Sequence, residues 1–223
     1  MVSRKRDAAR SRDRLLAAAA AEFAARGFAG AKVDRIAARA RLNKAMIYYH
    51  FGSKAALYRE VLLDVFRTVA EAVTTDVSAP DAAEQVRQFV RVIARVVTSR
   101  PHFGAIWLRE MAEGGTHLEA SIVEALQRIL GVLAQIIDAG AAAGAFRRVH
   151  PLVVQLGIVG PLMIFVASTQ ARGRLATRLG PVAEPPLEAV LDSIEAATLG
   201  TLAIGADAPL PPAARSDRRR QQS

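Results

Sequence analysis

The chain has 223 residues and a formal net charge of +9, with 52% hydrophobic, 23% charged and only 5% aromatic residues. That length fits one or two compact domains of roughly 100–200 residues each, and the apolar fraction excludes a chain disordered as a whole. No cysteine is present, which excludes a disulfide scaffold, a thiolate zinc site and a cysteine nucleophile. Forty-five alanines against 15 Gly and 10 Pro lean all-α before any pattern is read. The basic start runs into an Ala-rich helix pattern instead of an apolar run, so no secretory signal and a cytoplasmic location are expected.

The charge is unevenly placed. Residues 1–60 hold 14 Lys+Arg against 5 Asp+Glu, a net +9, while residues 61–207 carry −3 and residues 208–223 carry +3. A basic first quarter on a mildly acidic body suggests a polyanion-binding module joined to something else.

Residues 1–11 read as a basic, disordered arm. Arg12 to Gly27 reads as an amphipathic helix, with Leu15, Leu16, Ala19, Ala20, Phe23 and Ala24 inward and Gly27 at the C′ position. A short helix follows over Val33–Ala40, then a tight connection Arg41-Leu42-Asn43, then a helix over Lys44–Phe51 broken by Gly52. Ser53 is a good N-cap for a longer helix, Lys54 to about Thr75. Ser78-Ala79-Pro80 marks the boundary, which separates a first unit at 12–78 from a second at 79–206.

In the second unit, Asp81-Ala-Ala-Glu84 reads as a capping box opening a helix to about Ser99. Pro101 leads a helix His102–Glu113, which Gly114-Gly115 ends. Thr116-His-Leu-Glu119 reads as a second capping box, opening a helix to about 139–143. Helical patterns resume at Leu152–Arg174 and Leu187–Ile204, and residues 207–223 read as a disordered basic tail. No strand alternation or internal repeat stands out, so the fold class is all-α. Residues 149–171 carry no Lys, Arg, Asp or Glu over 23 positions. That run is long enough to span a bilayer, which keeps a membrane-tethered DNA-binding protein as the alternative. Its amides, glycines and Pro161 favour a helix buried in a core or a subunit interface. With the next helix it would supply a two-fold interface through Leu152, Leu156, Val159, Leu187, Val190, Leu191, Ile194 and Thr198.

The second and third helices have the spacing of a helix-turn-helix. Ala37 gives the small residue where the helices cross, Ile36, Leu42 and Ile47 the anchors, and Arg41 the turn. The third helix then offers Lys44, Ala45, Met46, Tyr48, Tyr49 and His50 to a major groove.

On Phe23-Ala-Ala-Arg-Gly-Phe28, Val33-Asp-Arg-Ile-Ala-Ala-Arg-Ala40 and Ile47-Tyr-Tyr-His-Phe-Gly-Ser-Lys54 with Leu57, the chain resembles the TetR/AcrR family of bacterial transcriptional regulators. The resemblance covers about residues 12–65. It implies a homodimer on a palindromic operator in double-stranded DNA, with repression relieved by a small-molecule effector. It places Tyr48, Tyr49 and His50 on phosphates or the sugar edge and Lys54 on a phosphate at a helix N-terminus. Lys44, Ala45 and Met46 would face base edges. Two positions depart from the family: Arg41 stands where Gly is usual at the turn, and Lys32 where Thr is usual as the cap of the second helix. Each is expected to contact a phosphate as a charge.

For the effector, Phe103, Trp107 and Met111 lie at i, i+4, i+8, with Met163 and Phe165 to face them and Gln155 and Gln170 as the amides of a long apolar helix. Such a stripe is core more often than pocket, and if it lines a pocket, apolar walls would favour a hydrophobic effector. No cofactor, metal site or enzyme is expected: Glu110, Glu113 and His117 would share a face only on an unbroken helix, and no phosphate loop or nucleophile elbow occurs.

Overall fold

The computed structural model describes residues 2–204, with side chains from residue 6 onward. Ten α-helices follow one another: α1 Val2–Gly30, α2 Val33–Ala40, α3 Ala45–Phe51, α4 Lys54–Asp76, α5 Ala82–Thr98, α6 Phe103–Ala112, α7 Ala120–Ala142, α8 Pro151–Ala167, α9 Thr169–Leu179 and α10 Leu187–Leu202. Among the described residues there is no strand, only one bridge between Phe146 and Ala203. The basic tail 207–223 lies outside the described residues.

Helices α1–α3 pack as a small unit against the first half of α4, and α4 also packs on α5, α6 and α7. One continuous apolar core therefore runs from Leu15, Phe23, Ile36 and Ile47 through Leu57, Leu62 and Val73 to Phe89, Ile93, Leu133 and Ile158. Ser53 caps α4 by accepting a hydrogen bond from the Ala56 N–H at 3.0 Å. The α4–α5 connection is held by Gln88, whose Oε1 accepts from the N–H groups of Ser78 and Ala79. Gly140 lies so close to Phe146 that a Cβ there would sit 2.1 Å from the ring, so α7 and the chain's return to α8 require a glycine at that point.

Several expectations need correction. Residues 2–11 are not a disordered arm but continue α1, whose buried Ser11 lies against α3. The break at Gly27 is real (φ 68°, ψ 175°), but the element reaches Gly30. Asp81 caps α5 through the Glu84 N–H, whereas the Glu84 carboxylate pairs with Arg87 and does not complete a capping box. The second capping box does not form. Thr116 Oγ1 turns to His117, Glu119 pairs with Arg59 at 2.8 Å, and α7 starts at Ala120.

The uncharged run 149–171 is divided at Ser168, where the following segment turns away by 68°. Helix α8 keeps 17 residues, about 25 Å at 1.5 Å per residue, and buries Val154, Ile158, Leu162 and Met163 in the core. A straight span over that run is therefore absent. Helix α7 is long and apolar enough in composition to cross a membrane. Its stripe Ile122, Ala125, Ile129, Leu133 and Ile136 is buried, and the helix packs on α4, α5 and α8.

The proposed interface residues separate by helix. On α8, Leu152 and Leu156 are exposed and Val159 is half-buried. On α10, Leu191, Ile194 and Thr198 are buried within the protomer, and Leu187 and Val190 pack beside them. The apolar stripe of α10 is thus core, as expected of an amphipathic helix lying on α5 and α8. The outward face of α10 carries Glu188, Ala189, Asp192, Ser193, Ala196, Ala197 and Gly200, with Glu188 and Asp192 paired to Arg91.

Candidate nucleic-acid interface

The reading unit is built from short helices held by tertiary contacts. Helix α2 buries Ile36, Ala37 and Ala40, and α3 buries Ile47. Between them Arg41 adopts a left-handed conformation (φ 53°, ψ 46°), the one positive φ at a non-glycine residue among those described. That conformation costs an L-residue roughly 1–2 kcal/mol. It is held by the Leu42 N–H donating to Ala37 O at 3.0 Å, and by Arg14 of α1, whose Nη2 donates to Ala40 O and Arg41 O. A charged donor on a carbonyl contributes about 1.5–3 kcal/mol, enough to offset the strain. Asn43 then starts α3, its Oδ1 accepting from the Ala45 N–H at 2.9 Å.

The outward face of α3 carries Ala45, Tyr48 and Tyr49 at i, i+3, i+4. Tyr49 is 76% exposed, meeting the His50 ring edge-on at 5.0 Å, and Tyr48 is 53% exposed, unusual for aromatic rings. Lys44 precedes them, in an open ion pair with Asp34 at 3.2 Å. Such exposed pairs are worth ~0–1 kcal/mol, so Lys44 is readily released to a stronger acceptor. Lys32 and Arg41 are exposed beside this face, and neither has an ion-pair partner among the described residues.

Three expected contact residues are turned inward. Met46 is half-buried against the core. His50 Nε2 lies 3.0 Å from Ser11 Oγ, whose hydroxyl also reaches Ala8 O at 2.8 Å. Lys54 is half-buried. Its Nζ donates to Ala31 O at 3.0 Å and sits 4.6 Å from the centre of the Phe28 ring. It fastens α4 to the α1–α2 connection.

Glu22 is a contributor that spacing alone did not identify. It is buried in α1, where Arg35 Nε donates to Oε1 at 2.6 Å and the Lys32 N–H donates at 3.4 Å. Lys32 offers no side-chain cap to α2, and Glu22 reaches only the N–H of Lys32 itself, just ahead of the first turn. Burial opposes its charge, but the hydrogen bonds from Arg35 and Lys32 and the charges of Arg35 and Arg26 outweigh it and hold the carboxyl below its ordinary value. The available signal was one acid in the apolar run Leu15–Phe23, four residues before Arg26.

A second polar cluster joins this unit to the body. Gly114 and Gly115, both at positive φ, fold the chain back so that His117 meets Glu110 instead of being parted from it. Glu110 is fully buried, accepting from the His117 N–H at 2.6 Å and from Tyr58 Oη at 3.0 Å, with His117 Nδ1 at 3.0 Å. Burial, the bond to Glu110 and the negative charge of Glu110 push the Tyr58 phenol well above its ordinary value. Phe28 stacks on both Tyr58 and His117, and Arg109 donates to the α1 carbonyls of Phe23 and Ala24. Among the described residues no group of three or more His, Cys, Asp or Glu is placed to hold a metal ion.

The expected effector residues do not form one wall. Phe103 and Trp107 stack with centroids 6.2 Å apart, and both meet Phe66 edge-on. Met163 is buried, Phe165 is covered by the Arg172 guanidinium at 3.9 Å, and Met111 is exposed. Gln155 is buried with Oε1 unpartnered, whereas Gln170 lies beyond the bend on α9 and is exposed.

A bent pair of short helices with an outward aromatic and cationic face, carried on an all-α body, defines a helix-turn-helix protein. Residues 15–61 match the family described as bacterial regulatory proteins, tetR family, and residues 79–166 match the Tetracyclin repressor-like C-terminal domain. The HTH-type transcriptional repressor NicS of Pseudomonas putida is 36% identical over 149 residues, 65% of this chain and 69% of that protein. An uncharacterized HTH-type transcriptional regulator of Mycobacterium bovis is 30% identical over 186 residues, 81% of this chain and 82% of its own. A bacterial regulatory protein of the tetR family from Rhodococcus RHA1 has the same fold, with a TM-score of 0.70 at 20% identity over 87% of this chain and 98% of that one. The chain belongs to the TetR family and is a DNA-binding transcriptional regulator, not an enzyme.

Proposed function

We propose that the protein is a homodimeric repressor that binds a palindromic operator and is released from it by a small, largely hydrophobic effector. The observation that carries the reading is the outward face of α3, where Tyr48 and Tyr49 stand exposed behind Lys44 and Ala45. On this reading Lys44 donates to a guanine edge, Ala45 contacts a thymine methyl, and the two tyrosines with Lys32 and Arg41 hold phosphates. Met46, His50 and Lys54 support the helix from behind. Two copies join through the outward face of α8, where Leu156 is 59% and Ile164 60% exposed without a charge between them. The paired α3 helices then lie about one DNA turn apart, ~34 Å. An effector that binds the other spacing better lowers operator affinity by linkage, typically 5–150-fold.

The test is the double variant Lys44→Ala/Tyr49→Ala in a gel-shift assay on DNA flanking the gene. The expected result is a loss of roughly 30-fold or more in affinity with an unchanged melting temperature, since two contacts at ~1–3 kcal/mol each are removed. Unchanged affinity overturns the assignment of α3.

A further inference from the structure

A cleft of about 480 Å³ opens between α1, α4 and the corner joining α5 to α6. Phe103 forms part of its wall while its ring partners Phe66 and Trp107 do not line it, and the cleft lies at the joint between the reading unit and the rest of the chain. Its floor is apolar, with Leu16 and Ala20 from α1, Val65 from α4 and Ile106 from α6. Its volume falls in the range of small-molecule sites, roughly 300–1,000 Å³.

Four titratable groups rim the cleft, Asp13, Asp64, Arg100 and His102, beside the hydroxyl of Ser99. Arg100 is already satisfied, its Nε donating to Asp64 at 3.1 Å and its Nη1 to Ser99 Oγ at 3.1 Å. Burial and the neighbouring Arg39 hold His102 below its ordinary value, so it adds no positive charge at neutral pH. Asp13 has no hydrogen-bond or ion-pair partner among the described residues. The rim therefore offers one uncompensated carboxylate over an apolar floor.

We propose that this cleft is a ligand site for an amphipathic organic cation, an apolar ring system bearing a protonated amine that pairs with Asp13. The proposal deepens the effector-release reading and rests on it for its consequence. Asp13 is next in the chain to Arg14, the residue whose guanidinium holds the turn carbonyls of Ala40 and Arg41. An occupant wedged between α1 and the α5–α6 corner displaces α1, and with it the support of the turn before α3. Operator affinity falls as a result.

The experiment is calorimetric titration of the full chain with 1-naphthylmethylamine and, as the uncharged counterpart, 1-naphthalenemethanol. The amine is expected to bind about tenfold more tightly than the alcohol, the size of one charge-assisted hydrogen bond. Asp13→Asn should remove that advantage and leave the alcohol unchanged. Ala17→Phe, at an exposed position on the α1 wall, should fill the cleft and abolish binding of both with an unchanged melting temperature. Equal binding of the two probes, no binding of either, or amine binding unaltered in both variants would overturn the site. The titration needs no DNA, so gel shifts of the same preparations without probe report separately on the regulatory reading. Loss of operator binding with titration intact would end that reading and leave the site standing.

Discussion

Among the surfaces that expose large apolar side chains, those of α3 and α8 do so in opposite company. On α3 the exposed groups are phenol rings, each ending in a hydroxyl, with Lys44 one turn before them and Lys32 and Arg41 alongside. On α8 they are Leu152, Val153, Leu156 and Ile164, on a helix that holds no charged residue. A ring with a polar tip among cations suits a hydrated polyanion, where part of the contact stays wet. A branched aliphatic face without charge gains nothing from water or phosphate and is stabilised by a second copy of itself. Exposed apolar area therefore means different things according to the charge around it.

That contrast can be broken at either end. Leu156→Glu should have the largest effect. A carboxylate placed at an apolar two-fold contact should convert the dimer to monomer, as read by light scattering, and reduce operator affinity about 100-fold or more because the half-sites no longer bind together. A dimer of unchanged size would remove α8 from the interface. Glu22→Gln comes next, acting on the stability that underlies the α3 face. Loss of the charged acceptor for Arg35 should cost about 1–3 kcal/mol at pH 7. Because the folded Glu22 carboxyl is held below the ordinary 4.5, its contribution is present above that value and is lost as pH falls through the lower, folded value. Melting curves of wild type and variant should thus differ at pH 7 and converge in acid, whereas a gap independent of pH would contradict the assignment. Arg41→Gly should have the smallest effect and a mixed sign. Relief of the left-handed strain should add about 1 kcal/mol, a rise of roughly 2–4 °C in melting temperature. Loss of one phosphate contact per protomer should lower the slope of log affinity against log salt by about 2 for the dimer. An unchanged slope would mean that Arg41 touches no phosphate.

Much of the fold was legible because helical spacing and caps are local. The break at Gly27, the short α2 and α3 and the Ser53 cap all follow from nearby residues. What was not legible depends on contacts distant in sequence. The stripe on α10 announced that it was buried, but its period could not say whether by the same chain or another; Leu191 and Ile194 face the protomer's own α5 and α8. His50 and Lys54 are polar residues in a basic segment and read naturally as DNA contacts. Their partners, Ser11 and the Ala31 carbonyl, lie 39 and 23 residues away. Thr116 failed as a cap because Glu110 recruits the next residue's N–H, a competition that no window of four residues reveals.

The bond from Arg14 to the turn carries a lesson about descent. A glycine at position 41 would need no outside support, and position 14 would then be free to drift. With arginine at 41 the turn is supported by a guanidinium reaching across from the first helix, and the two positions are expected to vary together. Among relatives of this chain, the side chain at the turn should forecast the one at position 14, and replacing Arg14 should be harmless only in a lineage that has first restored the glycine.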